Sequence, residues 1–342
     1  MRRFFQFEPR PWNRIGQLSG TGLAFAVLTC TFAMNLSASD PQIAKEHATA
    51  NPLFQLLTAP VTAPSDLLVP VMDHGIVLPA PILADGLSAA EQNKVLEQFA
   101  TGRKTVSLPR LRAPKIAHDA IQLWDHARIS ELKKIQTTDM VTTVTAVVTA
   151  EGRLETVADR EFLEQLIAVF QEKKREQDDE QAEQPEEESA EVEAETLKKA
   201  GIDPEQLANQ DQERIRWVRG SLEETLKLSG VARSYWTQTK DSVLIAVAFD
   251  RRFDFDDKLR PAWEKYERKE NGALALVEKG SSYCFGAYVK VTQLQGTDIL
   301  FAELHAAVIQ PHVWFKGRDT LSSKLSTLVN DEAKSLRRKL RK

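Results

Sequence analysis

SYCFGAYVKVTQLQGTDILFAELHAAVI, residues 282–309, is the stretch whose reading decides the fold. Two runs rich in β-branched and aromatic residues flank Gln295-Gly296, which is the pattern of a β-hairpin. With Gln295-Gly296 as a two-residue turn, partner numbers sum to 591. One face then carries Val289, Val291, Leu300, Ala302, Leu304, Ala306 and Val308 and is uniformly apolar. A slip of one residue would set Val289 opposite Glu303, so the odd sum is the favoured one.

The opposite face carries the chemistry: Cys284, Tyr288, Lys290, Glu303 and His305. That register puts Gly286 across from His305 and makes Cys284 a diagonal neighbour of the histidine, about 7–8 Å away between backbones. A thiol beside an imidazole, with Glu303 orienting the ring, is the arrangement of a cysteine nucleophile, and these three residues are the catalytic candidates. Neither a glycine-rich oxyanion loop nor a helix N-terminus adjoins them. A lone cysteine next to Phe285 equally suits a small hydrophobe.

Further strands are expected on both sides of this hairpin. DMVTTVTAVVTA (139–150) is β-branched over much of its length, and Glu151-Gly152 is expected to turn it into a partner strand, RLETV. SLEETLKL, VARSYWTQT and SVLIAVAFD read as strands from Ser221 onward, ahead of a mixed stretch around Trp263 and Tyr266. Helices are expected after the capping box Ser88-Ala89-Ala90-Glu91, after Asp159, and from Asp203-Pro204 toward Trp217. The last begins with a cap and a proline at the first helical position. A final amphipathic helix from Asp319 or Thr320 carries Leu321, Leu325, Leu328, Val329, Ala333, Leu336 and Leu340 in one stripe. Two strands alone rarely stand, so the fold class expected is α+β. A single mixed or antiparallel sheet gathers strands from residues 87–170 and 203–342, with helices packed on one face.

Three segments lie outside that body. Residues 39–86 read as an extended arm, because Pro52, Pro60, Pro64, Pro70, Pro79 and Pro81 interrupt its apolar runs. Residues 171–202 read as an acidic disordered insertion. Eleven acidic and no basic residues fall between Glu176 and Glu195, too little apolar matter to offset about 1–2 kcal/mol of ordering entropy per residue. Residues 1–38 read as an export signal: a basic start, an uncharged stretch after Arg14, and small residues at Leu36-Ser37-Ala38. Arg2-Arg3-Phe4-Phe5 partly resembles the twin-arginine motif. An uncleaved membrane anchor is the alternative, as the uncharged stretch exceeds the ~20 residues needed to span a bilayer.

Charge limits the partners. The net charge of −4 becomes +7 without the acidic run, and the arginines of the signal and the basic end carry that excess. A near-neutral body gives no broad basic face for nucleic acid. Arg337, Arg338, Lys339, Arg341 and Lys342 first of all suit the negative end of a helix. The partner is left open by the sequence, with an anionic wall polymer or lipid head group as a surface this cluster could contact.

No cofactor or metal is indicated. His118 and His126 in HDAIQLWDH would be about 12 Å apart along a helix, too far to share one ion. DRRFDFDD (250–257) lacks the glycine and distal glutamate of a calcium loop and supplies its own arginines. With Cys30 in the signal, Cys284 is the only cysteine left after cleavage. Trp314 and Phe315, in the connection after the last strand, are candidates for a glycan or peptide platform or for a core plug. The function expected is therefore an exported, non-enzymatic envelope or secreted protein that binds or scaffolds. The alternatives are a hydrolase using Cys284 and His305, and a binding module using Trp314 and Phe315.

Overall fold

The computed structural model describes residues 46–58, 77–101, 106–107, 120–123, 127–128, 140–158, 189–222, 225–281, 285–315 and 337–338. Among them twelve strands form one sheet in which every pairing is antiparallel. A few short helices surround it, giving a sheet-dominated α+β fold.

The centre of the sheet is built from the most apolar sequence. β8 (Ser242–Phe249), β11 (Phe285–Gln293) and β12 (Ile299–Gln310) lie side by side, with β4 (Met140–Glu151) along the far edge of β12. Beyond β4, β2 (Ala120–Leu123) and β3 (Ala127–Arg128) pair with it, and β1 (Val106–Ser107) pairs with β2. The long partner of β4 is β12, over all twelve residues, and RLETV is not a strand. Leu154–Ala158 is instead a short helix, α4, whose Leu154 amide bonds Gln293 Oε1. A hairpin after Glu151 would have to displace β12, and the longer ladder wins.

β11 and β12 pair as expected but two residues further along, with partner numbers summing to 593. The apolar face is unchanged, because a shift of two preserves side-chain parity. The cause is the turn. Gln295-Gly296-Thr297-Asp298 forms a four-residue loop closed by the Leu294 amide on Ile299 O, with the Thr297 amide on Leu294 O and Gly296 at φ 74°. Tyr288, not Gly286, therefore faces His305, and Lys290 faces Glu303.

On the other side of β8, β7 (Leu226–Gln238) is a single strand through Gly230. Its first residues, Leu226–Ser229, pair with β9 (Ala262–Arg268), and Ala232–Gln238 pair with β8. The sheet forks between them. At the fork a Cβ on Gly230 would lie 2.9 Å from Pro261 Cα and 3.0 Å from the Phe249 ring, so only glycine fits. β9 pairs with β10 (Leu274–Ser281), closing a ribbon about Asn271-Gly272, with a bulge between Leu276 and Glu278. This hairpin occupies the stretch that reads as mixed in the sequence. Leu274, Leu276 and Val277 on it are 40–49% exposed.

The opposite edge of β7 carries β6 (Glu213–Leu222), then β5 (Ser189–Glu191). The helix expected to run from Asp203 to Trp217 ends much earlier. Asp203 accepts from the amides of Glu205 and Gln206, and α6 (Pro204–Ala208) stops at Asn209. Ile215 and Trp217 then alternate with Arg214 and Arg216 in β6, a strand period that the helical cap obscures. β5 and α5 (Ala194–Lys199) fall within residues 171–202, so the tail of that segment is structured. Leu197 of α5 packs with Ile215, Val231 and Phe253.

Helices cover both faces, not one. α1 (His47–Ala50), α2 (Pro52–Thr58) and α3 (Ala89–Thr101) lie on the face of Tyr288, where Phe54 meets the Tyr288 ring edge-on at 4.9 Å. α4 packs on the reverse face, with Leu154 and Val157 against Val243, Val291 and Leu300. Both faces of the central strands are apolar, so both must be covered. α1 and α2 also show that the arm is not extended throughout. Pro52 takes the first helical position, where it gives up no hydrogen bond, and Asn51 Oδ1 caps the helix through the Phe54 amide at 2.9 Å. The capping box of α3 forms as read, with the Ser88 amide and hydroxyl donating to Glu91 at 2.8 and 2.6 Å.

Candidate functional site

Strand alternation places Thr237 of β7, Ser242 of β8, Lys290 of β11 and Glu303 and His305 of β12 on the face that α1 and α2 cover. All five are buried. Burying this many polar groups is costly unless each is satisfied, and the partners come from the arm.

Residues 77–87 belong to no helix or strand and run across these side chains. Leu78 and Leu83 point into the core. Tyr288 donates its hydroxyl to Pro79 O at 2.6 Å. Glu303 accepts the Ile82 amide at 2.6 Å and the Leu83 amide at 3.4 Å. Lys290 donates to Leu83 O at 2.6 Å and pairs with Asp85 at 2.7 Å. Asp85 also accepts the hydroxyls of Ser242 at 2.7 Å and Thr239 at 2.8 Å. One step on, Asp241 accepts the Gly86 amide at 2.7 Å and the Gln295 side chain at 3.0 Å.

His47 closes the cluster from α1. Its Nδ1 lies 2.7 Å from Thr237 Oγ1, its Nε2 lies 2.8 Å from Ser242 Oγ, and Asp85 is 3.6 Å from Nε2. Because Ser242 gives its proton to Asp85, the imidazole donates to Ser242 from Nε2 and accepts from Thr237 at Nδ1. Serine, histidine and aspartate thus meet, wired unlike a hydrolytic triad. In a triad the ring takes the hydroxyl proton and the carboxylate holds Nδ1. Here the carboxylate takes the hydroxyl proton.

The electrostatics reflect this wiring. Burial lowers the His47 pKa to about 4, helped by the Lys290 ammonium and opposed by Asp85. Burial pushes the Asp85 carboxyl up, but the Lys290 ammonium with the Ser242 and Thr239 hydroxyls outweighs it, holding the group below its usual range. Burial, with Glu303 nearby, pushes the Tyr288 phenol far up.

Of the residues singled out in the sequence, the fold brings Glu303 and His305 together and sets Trp314 and Arg337 elsewhere. His305 stacks on Tyr288 with ring centroids 4.7 Å apart. Its Nε2 donates to Glu303 at 2.9 Å and its Nδ1 accepts from Thr145 at 3.0 Å, so both ring nitrogens are engaged. Cys284 lies outside the described residues, as do His118, His126 and the cations at 339, 341 and 342. Trp314 is 3% exposed and meets Trp263 edge-on at 6.2 Å, in the core and not on a surface platform. The Phe315 side chain lies outside the described residues. Arg337 is buried and donates to Thr149 O at 2.7 Å, whereas Arg338 is exposed. In DRRFDFDD, Asp250 pairs with Arg252 at 2.6 Å and Arg251 with Asp254 at 3.3 Å, so its two arginines are taken up by two of its four aspartates, and Asp257 pairs with Arg260 at 3.1 Å.

His47, Asp85, Thr237, Thr239, Asp241 and Ser242 are absent from the sequence-derived candidates. The bonds that join Thr237, Thr239, Asp241 and Ser242 to His47, Asp85 and Gly86 span 154–195 residues; Thr239 bonds Asp241 and Ser242 within one turn, but no local spacing joins that turn to the arm. Among the described residues no group of three or more His, Cys, Asp or Glu is placed to hold a metal ion. No described helix is long and apolar enough to cross a membrane. No protein-family model matches the chain, and no curated protein does.

Proposed function

We propose that this is an exported envelope or secreted protein that works by binding or scaffolding, with its polar sheet face used to hold its own arm. The observation that supports this reading is how the reactive side chains are used. Lys290, Glu303, His305, Ser242 and Asp241 direct polar atoms to arm backbone, to Asp85 or to one another, and further bonds go to His47, Thr145 and Gln295. Such a network rigidifies a structure. Export rests on residues 1–38, and the solvated acidic run then acts as a spacer. An anionic envelope surface remains the proposed contact for the basic end, now through Arg338, Lys339, Arg341 and Lys342, because Arg337 is turned inward.

Fractionation of the C-terminally tagged chain tests the location. A shortened form beginning near Ser39 outside the cytoplasm is expected, and full-length chain with Met1 dissolved in the cytosol overturns it. The competing hydrolase reading needs a reactive Cys284. Labelling with an electrophilic thiol probe is expected to be no faster than that of a free cysteine peptide, and a strongly accelerated rate would favour the enzyme.

A further inference from the structure

The segment 82–86 is fastened by side chains alone, and most of those side chains are acids or bases. Ladder hydrogen bonds hold the sheet at any moderate pH, but the arm relies on the Glu303 carboxylate at Ile82 and Leu83, the Lys290–Asp85 ion pair and the Asp241 carboxylate at Gly86. His47 sits beneath the centre of this set, 3.6 Å from Asp85. We infer that residues 82–86 are an acid-releasable strap, which lifts from the sheet face while the β11–β12 ladder stays intact.

His47 and Asp85 act with the same sign. The charged groups facing His47 are Asp85 from the arm and Lys290 from β11, while β7 and β8 face it with the hydroxyls of Thr237 and Ser242. A second ring proton would have to enter at Nδ1, which already accepts from Thr237, in a buried site beside an ammonium. The closed state therefore keeps His47 neutral down to about pH 4, whereas an uncovered histidine protonates near 6.5. Since the closed-state value is the lower one, closure is strongest above about pH 6.5, weakens as pH falls toward 4, and levels off below. Asp85 adds to this at lower pH. Its contribution is intact above its ordinary value of 3.8 and is lost as pH falls through its depressed value. If the open state frees His47 fully, its share amounts to about 300-fold in the closing equilibrium in total, of which about 80-fold falls between pH 6.5 and 4, and these are ceilings. Lifting the strap would vacate the sites of Leu83 and Asp85 together, leaving an apolar socket beside the Lys290 ammonium.

Hydrogen–deuterium exchange of the full chain from pH 7 to 4, corrected for intrinsic rates, tests the strap. The amides of Ile82, Leu83 and Gly86 are the reporters, and those of β11 and β12 the internal control. Arm protection is expected to fall by about ten- to eighty-fold between pH 6.5 and 4 while β11 and β12 stay protected. His47→Gln is expected to flatten that fall, and Asp85→Asn to make the arm exchange fast already at pH 7. Arm protection independent of pH, loss of arm and sheet protection together, or an unchanged profile in His47→Gln would each overturn the strap. Should His47→Gln fail to fold, Asp85→Asn decides alone: a slow-exchanging arm at pH 7 rejects it. Neither outcome depends on where the protein resides, so the strap and the export reading fail separately.

Discussion

The clasp under the arm and the ribbon of β9 and β10 reverse the usual placement of side chains. The clasp buries Lys290, Glu303 and His305, each 2% exposed or less. The ribbon leaves Leu274, Leu276 and Val277 roughly half in solvent. Position in the sheet explains both. β11 and β12 are central and have covering layers on both faces, so whatever they carry is enclosed and must find partners. β10 is an edge strand with one neighbour and no covering layer among the described residues. Its bulge at Val277 and its charges at Glu278 and Lys279 are devices that blunt an exposed edge. Burial here is set by topology, and chemistry adapts to it.

Substitutions can break that contrast, beginning with the clasp. Lys290→Met keeps the bulk but strands Asp85 and Leu83 O, and should destabilise the fold by about 3–5 kcal/mol in urea unfolding at pH 7. A loss under about 1 kcal/mol would mean that water replaces the ammonium. Next is the fork: Gly230→Ala forces a Cβ against Pro261 and Phe249, and about 1–3 kcal/mol should be lost in the same assay. Glu303→Gln retains an acceptor for Ile82 but offers only one carbonyl oxygen to three donors, costing about 1–2 kcal/mol and raising arm exchange before sheet exchange. The smallest change is expected at Leu276→Lys on the ribbon, within about 0.5 kcal/mol of the parent. A cost above about 1.5 kcal/mol would show that the ribbon is covered in solution.

The same contrast explains what the sequence made legible. β4, β8, β11 and β12 are read correctly because alternation and β-branching are local signals, and the apolar face of the hairpin survives even a two-residue error in register. The caps at Ser88-Glu91 and Asp203-Pro204 are local too, and they form. The chain beyond a cap is less secure: Pro204 announces a helix but not its length, so β6 is hidden behind α6. The β9–β10 hairpin does carry a signal, Asn271-Gly272, but the charged residues around it dilute the alternation. The clasp has none. Lys290, Glu303 and His305 look like a solvent-facing or reactive row until the arm that covers them is known, and an extended arm has no period to announce where it docks.

The pairing of β4 with β12 has a consequence for how the molecule is made. These strands meet residue for residue although 148–170 positions separate the partners, so β4 is completed long before its partner exists. During that interval MVTTVTAVVTAE is an uncharged, β-branched segment except at its last residue, with no mate on the β12 side. Formation of the sheet waits on a long loop closure, which slows folding and lengthens the time in which two nascent chains can associate through this strand. Yield of native protein should therefore fall with synthesis rate sooner than its thermodynamic stability would suggest.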